Sequence, residues 1–222
     1  MPTHQEIAGI SDEMLVQRMI SSHDQRFDQL FWHHFSNHIG PHLGEEFTAA
    51  DIGCGPGLLL RDLSERFPAA ELHGIDVTQA MLDYGEGLNY AGSKPVYHQL
   101  DLTTSALPFD DDSVNLLTMV AVLHVLPDPL AALQEISRVL SPGGVFMLYD
   151  WFRRPLSVYM QRMAGDAPPD QAELARQRTL RLFADHNKYT EEDWRWLLQE
   201  AGFTVASCNQ VTSPHFLLWT LS

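Results

Sequence analysis

The segment Ala50-Asp51-Ile52-Gly53-Cys54-Gly55-Pro56-Gly57 holds the residues best placed for chemistry. Glycines at alternate positions let a backbone turn tightly and let a ligand approach the main chain closely. Where such a loop joins a strand to a helix, the helix N-terminus adds the positive end of its dipole. That much points only to a nucleotide-like ligand. The details discriminate. The dinucleotide pattern is G-x-G-x-x-G, whereas this chain has Gly53-x-Gly55-x-Gly57, with Asp51 two residues before the first glycine. A carboxylate there suits a ligand end that carries an ammonium group and does not suit a pyrophosphate.

The elements that must position this loop alternate along the chain. A strand over residues 47–52 ends in the loop, and a helix follows from Leu58 to about Phe67, closed by Pro68. A second strand spans 71–75. A second helix begins near Thr78, a plausible N-cap. A third strand spans 95–100. A fourth, over 114–122, is almost wholly apolar, as a strand covered on both faces is. Asp128-Pro129 opens a helix with proline in a tolerated first-turn position. That helix stops at Ser141-Pro142-Gly143-Gly144, and a fifth strand spans 145–149. Alternating strands and helices imply a parallel sheet with helices on both faces.

Residues 151–189 break the rhythm, with helical stretches around 157–163 and 171–183. Thr190-Glu191-Glu192-Asp193 reads as a capping box with Asp193 in place of the usual Glu or Gln. A helix over 194–201 ends at Gly202. Runs over 203–211 and 215–221, joined by Thr212-Ser213-Pro214, read as an antiparallel strand pair. The expected organisation is one domain in four parts. These are an N-terminal helical lid (1–46), a core (47–150), a helical insertion or substrate cover (151–189), and a helix and strand pair completing the sheet (190–222).

Composition narrows the partners. The 222-residue chain is 45% hydrophobic and carries a formal charge of −15. Such a surface repels phosphate backbones on average, which disfavours nucleic acid. Arg153-Arg154 is the tight basic pair after the core. No apolar run approaches the roughly 20 residues a membrane helix needs. The start, Met1-Pro2-Thr3-His4-Gln5-Glu6, has neither a basic nor an apolar leader region, so no signal peptide is expected. Cys54 and Cys208 form no metal or disulfide framework, which favours a reducing cytoplasm. His34, His38 and His42 share i, i+4, i+8 spacing, but Gly40-Pro41 interrupts the helix and no acidic or thiol ligand completes a set; no metal is expected.

The glycine segment resembles motif I of class I S-adenosylmethionine (SAM) dependent methyltransferases: an acidic residue, any residue, then Gly-x-Gly-x-Gly. The likeness continues in order. Asp76 lies where the family's acidic residue binds both ribose hydroxyls, and Val77 would pack beside adenine. Asp101-Leu102 resembles the Asp-apolar pair that receives the adenine edge. Leu107-Pro108-Phe109 with Asp110-Asp111-Asp112-Ser113, His124-Val125-Leu126-Pro127-Asp128-Pro129, and Arg138-Val139-Leu140-Ser141-Pro142-Gly143-Gly144 resemble the stretches that flank the family's fourth strand and precede its fifth. The nearest flavour is that of the ubiquinone- and menaquinone-biosynthesis enzymes. Asn115 and Ser141 replace a frequent Asp and a frequent Lys. The resemblance implies a Rossmann-like, seven-stranded, mostly parallel doubly wound α/β sheet with an antiparallel C-terminal strand. It implies SAM as cofactor, bound by Asp51, Gly53, Cys54, Gly55, Gly57, Asp76, Val77, Asp101 and Leu102.

The acceptor is less legible. His124 sits just past the fourth strand, where open α/β sheets bind ligands, and is read either as a pocket residue or as part of a turn. Asp150 is a candidate base or a structural hydrogen-bond partner. Trp151 and Phe31 are candidate substrate contacts, Phe31 through an aromatic stripe with Phe27, Trp32 and Phe35 on a helix over the cofactor mouth. A small-molecule acceptor is the leading expectation, in a monomer or homodimer without membrane insertion. RNA or protein methylation and a non-catalytic SAM-binding module are the alternatives.

Overall fold

The computed structural model describes residues 11–165, 167–211 and 216–222. The leader reading at residues 1–6, the Thr212-Ser213-Pro214 link and His215 lie outside them. Three helices come first: α1 (Asp12–Ser21), α2 (His23–Arg26) and α3 (Gln29–His38). Side chains cap two of them, Ser11 accepting from the Met14 N–H and Asp28 from the Phe31 N–H. Then β1 (Thr48–Ile52), α4 (Leu58–Arg66), β2 (Glu71–Asp76), α5 (Gln79–Glu86) and β3 (Val96–Gln99) alternate. They are followed by β4 (Val114–Val120), α6 (Pro129–Val139), β5 (Leu140–Trp151), α7 (Leu156–Ala164), α8 (Ala172–His186), α9 (Glu191–Glu200), β6 (Val205–Asn209) and β7 (Phe216–Leu221).

The strands form one seven-stranded sheet in the order β3-β2-β1-β4-β5-β7-β6. β1 to β5 pair in parallel, and β7 runs antiparallel to both β5 and β6. This is the Rossmann-like arrangement expected, with its antiparallel C-terminal strand. The order reverses between β1 and β4, and the crevice outside the strand ends at that switch point is where such sheets bind ligands.

Burial on both faces explains the apolar strands. Along β5, Phe146 and Leu148 enter one core with Trp194, Trp219 and Phe203. Val145, Met147 and Tyr149 alternate into the other, with Phe31, Phe35, Leu60 and Leu218. The two departures from the family pattern meet each other. Asn115 Oδ1 accepts from the Thr48 N–H at 2.9 Å, and Asn115 Nδ2 donates to Ser141 Oγ at 3.1 Å. They tie β1, β4 and β5 at their N-terminal ends, away from the ligand edge.

Several boundaries moved for physical reasons. β4 ends at Val120, because Ala121 turns to φ +58° while its N–H donates to the Tyr149 carbonyl at 2.9 Å. A 3-10 turn over Leu123–Val125 follows and carries His124. The capping box is present: Thr190 Oγ1 accepts from the Asp193 N–H, and Asp193 accepts from the Thr190 N–H. Its members occupy the first turn of α9, so that helix starts earlier than its apolar pattern. α8 runs on to His186, beyond the predicted end near residue 183.

Candidate active site

The C-terminal ends of β1, β2 and β4 open into a cavity of about 440 Å³, a size usual for small-ligand sites. Its floor is made by Asp51, Gly53, Cys54 and Gly55, by Asp76 and Val77 after β2, and by Asp101 and Leu102 after β3.

The glycine loop is held by named donors. Gly53 and Cys54 both donate their N–H to the Ile75 carbonyl, at 2.7 and 2.9 Å. The Gly55 N–H donates to Asp76 Oδ2 at 2.9 Å, and the Thr78 N–H to Asp76 Oδ1 at 2.8 Å. Asp76 therefore braces the loop and the start of α5 together. Gly53 and Gly57 have φ of +70° and +73°, and a Cβ at either would collide with a neighbour, Val122 and the Tyr97 hydroxyl respectively. Gly55 differs: a Cβ there would meet nothing nearer than Met81 Sδ at 4.0 Å. The space above it is the cavity. Gly57 does not line the cavity and shapes the loop from behind.

Asp51 is buried, and Thr118 Oγ1 donates to its Oδ1 at 2.6 Å. Burial pushes its carboxyl up to about 7; the Asp76 charge adds to the shift, while Thr118 and Arg26 oppose it. A buried carboxyl in this state gains by meeting a cation. Burial first, then the charges of Asp76 and Asp51, also push the Cys54 thiol up, which removes it as a nucleophile at neutral pH. Asp101 Oδ1 accepts from the Thr103 N–H and hydroxyl at 2.9 and 2.7 Å, so its turn is already formed.

The opposite wall holds the polar chemistry. His124 Nδ1 stands 2.6 Å from Asp150 Oδ1. Asp150 also accepts the backbone N–H of His124 at 3.2 Å and of Trp151 at 2.7 Å. A carboxylate so surrounded fixes the imidazole proton on Nδ1. His124 lines the cavity and Asp150 lies behind it. The buried Nε2 of His124 meets no hydrogen-bond partner among the described residues. It is the acceptor end of the ring, on the edge away from Asp150 and without exposed surface of its own. Trp151 lines the cavity and stacks on His186, with centroids 4.2 Å apart at 14°. His186 Nδ1 lies 2.7 Å from the Tyr159 hydroxyl.

Covering elements complete the enclosure. α1 and α2 contribute Arg18, Met19, His23 and Arg26, Phe27 follows α2, and α7 contributes Arg162 and Met163. His23 Nε2 bonds Asp62 Oδ2 of α4 at 2.8 Å, fastening α2 to the core.

One expectation is corrected. Phe31 does not reach the cavity; it is fully buried against Tyr149, Phe27 and Phe35. The aromatic stripe on α3 is core, and Phe27, one turn earlier, faces the cavity instead. Sequence reasoning did not single out Arg18, Arg26, Arg162 or His186. The only signal was arginine in two covering segments of a strongly acidic chain.

Comparison with known proteins places this geometry. Residues 50–148 match the family model described as a methyltransferase domain. The core of the chain is thus similar to that domain. Over 152 residues the chain is 30% identical to demethylmenaquinone methyltransferase of Staphylococcus aureus (strain JH9), a match covering 68% of this chain and 58% of that protein. The chain thus spans less than two thirds of the length of the curated relatives it matches. A SAM-dependent methyltransferase from Aquifex aeolicus superposes with a TM-score of 0.64 at 19% identity, over 96% of this chain and 98% of that one. A Haloferax volcanii methyltransferase solved with the Trm112 methyltransferase activator gives 0.71 at 18% identity, over 94% of both. At these identities the structures share the fold.

The fold is that of the class I methyltransferases, and the likeness to the methyltransferase domain implies SAM as the cofactor. The cavity fits that group: a carboxyl at Asp51 for an ammonium, open space over Gly55, and apolar walls at Val77, Leu100 and Leu102 beside the acids Asp76 and Asp101.

Proposed function

We propose that the protein transfers the methyl group of SAM to a small organic acceptor, with His124 taking the acceptor's proton and Asp150 holding His124 in place. The observation that carries this reading is the buried, unpartnered His124 Nε2 on the cavity wall, backed by Asp150 at 2.6 Å. A satisfied structural histidine would use both ring nitrogens. This one spends Nδ1 on a buried carboxylate and leaves its other nitrogen for a ligand.

Asp51, Gly53, Cys54 and Gly55 would hold the methionine end of the cofactor, with Gly57 shaping the loop. Asp76 would take the ribose hydroxyls, Val77 and Leu102 the faces of adenine, and Asp101 its edge. When bound, SAM supplies a methyl group on a positively charged sulfur that leaves as a neutral thioether, so no acid is required. The protein's work is then to orient and to accept a proton. Orientation of two reactants in one cavity is worth up to roughly 7–11 kcal/mol of barrier. A positioned base adds about 10²–10⁴-fold where the acceptor atom carries a proton. His124 Nε2 is that base, for a hydroxyl or another protonated atom. Trp151 and His186 form the wall beside it. α1 and α2 act as a lid and α7 and α8 as a cover, excluding water during transfer.

The charge of −15 supports a small acceptor over a nucleic acid. Unpaired thiols at Cys54 and Cys208 fit a reducing cytoplasm. Among the described residues no helix is long and apolar enough to cross a membrane.

The test supplies the full chain with methyl-labelled SAM and a metabolite extract of the cells that make it. A labelled small molecule is expected, with its yield cut by about 10²–10⁴-fold in His124→Gln. Label confined to protein or RNA, or cofactor binding with no transfer at all, would overturn the reading.

A further inference from the structure

Three arginines line this cavity, Arg18 on α1, Arg26 on α2 and Arg162 on α7. The chain has 14 lysines and arginines against 29 acids, so their convergence runs against the bulk charge. The remaining arginine ion pairs lie elsewhere: Arg61, Arg138, Arg176 and Arg195 each hold a carboxylate. Among the described residues no ion pair or hydrogen bond engages the guanidinium of Arg18, Arg26 or Arg162.

The three are not equivalent. Arg26 is half-buried with its exposed side in the cavity. It lies within electrostatic reach of Asp51, Asp150 and Tyr149 on one side and of Arg18 on the other. Arg18 and Arg162 stay exposed at the mouth, one from each covering segment. The acids that line the cavity, Asp51, Asp76 and Asp101, all sit at strand ends on its floor. Arg26 thus lies near the acidic floor, while Arg18 and Arg162 stand apart from those acids at the mouth.

We infer that the methyl acceptor carries an oxyanion, a carboxylate or a phosphate, and that Arg18 and Arg162 hold it at the mouth of the cavity. This rests on the methyl-transfer reading above. The cofactor has a single carboxylate, on the carbon that bears its ammonium group. A site that places Asp51 for the ammonium has Arg26 beside it for that carboxylate. One arginine is thereby matched and two remain. A guanidinium presents a planar fork that fits carboxylate or phosphate through paired hydrogen bonds. The two forks come from α1 and α7, so an anionic acceptor would draw the lid and the cover together over the cavity. The oxyanion is a handle, separate from the methylated atom. A carboxylate or phosphate oxygen already lacks its proton and would leave the base at His124 without a task. The methylated atom is a protonated one further along the same molecule.

The experiment divides the metabolite extract by anion exchange and assays each fraction with methyl-labelled SAM and the full chain. Label is expected in the anionic fraction. Treatment of the labelled product with a phosphatase distinguishes the sources: it loses its anionic retention if the handle is a phosphate and keeps it if the handle is a carboxylate. In the double variant Arg18→Gln/Arg162→Gln, labelling of that fraction at low acceptor concentration should fall at least about tenfold through a raised acceptor KM. S-adenosylhomocysteine binding, measured by calorimetry, should stay within about twofold, since neither residue serves the cofactor. Label in the neutral or cationic fraction, or an unchanged acceptor KM in the double variant, would overturn the anionic acceptor. Absence of label in every fraction, with S-adenosylhomocysteine still bound, would instead remove the methyl-transfer reading beneath it.

Discussion

His124 and Asp150 form a buried pair on adjacent strand ends, Nδ1 to Oδ1 at 2.6 Å, with the far nitrogen of the ring buried and without a hydrogen-bond partner among the described residues. Asp150 follows Tyr149, the last residue of β5 paired with β4, and His124 sits in the turn that follows β4. The parallel sheet brings together two residues 26 positions apart in sequence. A base and its orienting carboxylate in this relation set ring tautomer and direction at once.

The pair makes a kinetic prediction. Asp150→Asn keeps the shape but offers an amide where a carboxylate stood, which lets the imidazole turn or change tautomer. The expected outcome is a kcat lowered by about 10²–10⁴-fold, close to that of His124→Gln, because the two act as a unit. The KM for SAM should hardly move. A double variant no worse than either single one would complete the case. Fully independent, multiplying losses would mean that Asp150 acts on something other than His124.

Asp51 makes a pH prediction. Its carboxyl stands at about 7 in the fold, above an ordinary value of 3.8. A group whose folded value is raised holds its proton more tightly in the fold, so its contribution to stability falls as pH rises from about 4 to about 7. Asp51→Asn removes that titration. The ligand-free variant should therefore melt several degrees above the wild type at pH 8, and the gap should narrow toward pH 5; a few kcal/mol corresponds to roughly 2–4 °C per kcal/mol at this size. Cofactor binding responds in the opposite sense. An ammonium partner needs the charged carboxylate, so SAM affinity in the wild type should weaken as pH falls below 7, by up to about tenfold per unit. Equal melting temperatures across this range would contradict the buried, proton-holding Asp51.

The glycine loop separates packing from ligand space. Gly57→Ala places a methyl group against the Tyr97 hydroxyl and Gly85, at a φ that costs a further ~1–2 kcal/mol for any L side chain. It should destabilise the fold strongly. Gly55→Ala bears a similar backbone cost at φ +52° but meets open space; it should fold with a modest loss in melting temperature and lose most SAM affinity. Thermal melting and calorimetry on both variants check the order. Normal SAM binding by Gly55→Ala would show that the cofactor does not approach this loop.

The core was legible in the sequence because its signals are local. The βα turn at residues 50–57, the capping box at Thr190 and Asp193, and the apolar run of β4, covered on both faces, each act over a few residues. The catalytic wall was only half legible. His124 and Asp150 could be singled out by their place after strands, but their pairing depends on the register of β4 with β5, which composition does not encode. Phe31 was misplaced because an aromatic stripe on a helix reads the same whether it faces a cavity or a core. Arg18, Arg26, Arg162 and His186 were missed for a related reason. Their meeting depends on how α1, α2, α7 and α8 fold back over the sheet, through tertiary contacts with no periodic signature.

The central claim is that one cavity holds the cofactor on the Asp51 side and presents the reacting centre to His124. A crystal structure of the full chain with S-adenosylhomocysteine tests it most directly. The account predicts the amino group at Asp51, the ribose at Asp76, and the sulfur turned toward the His124 wall with open space between them. A ligand bound elsewhere, or one whose sulfur is walled off from His124 Nε2, would contradict it.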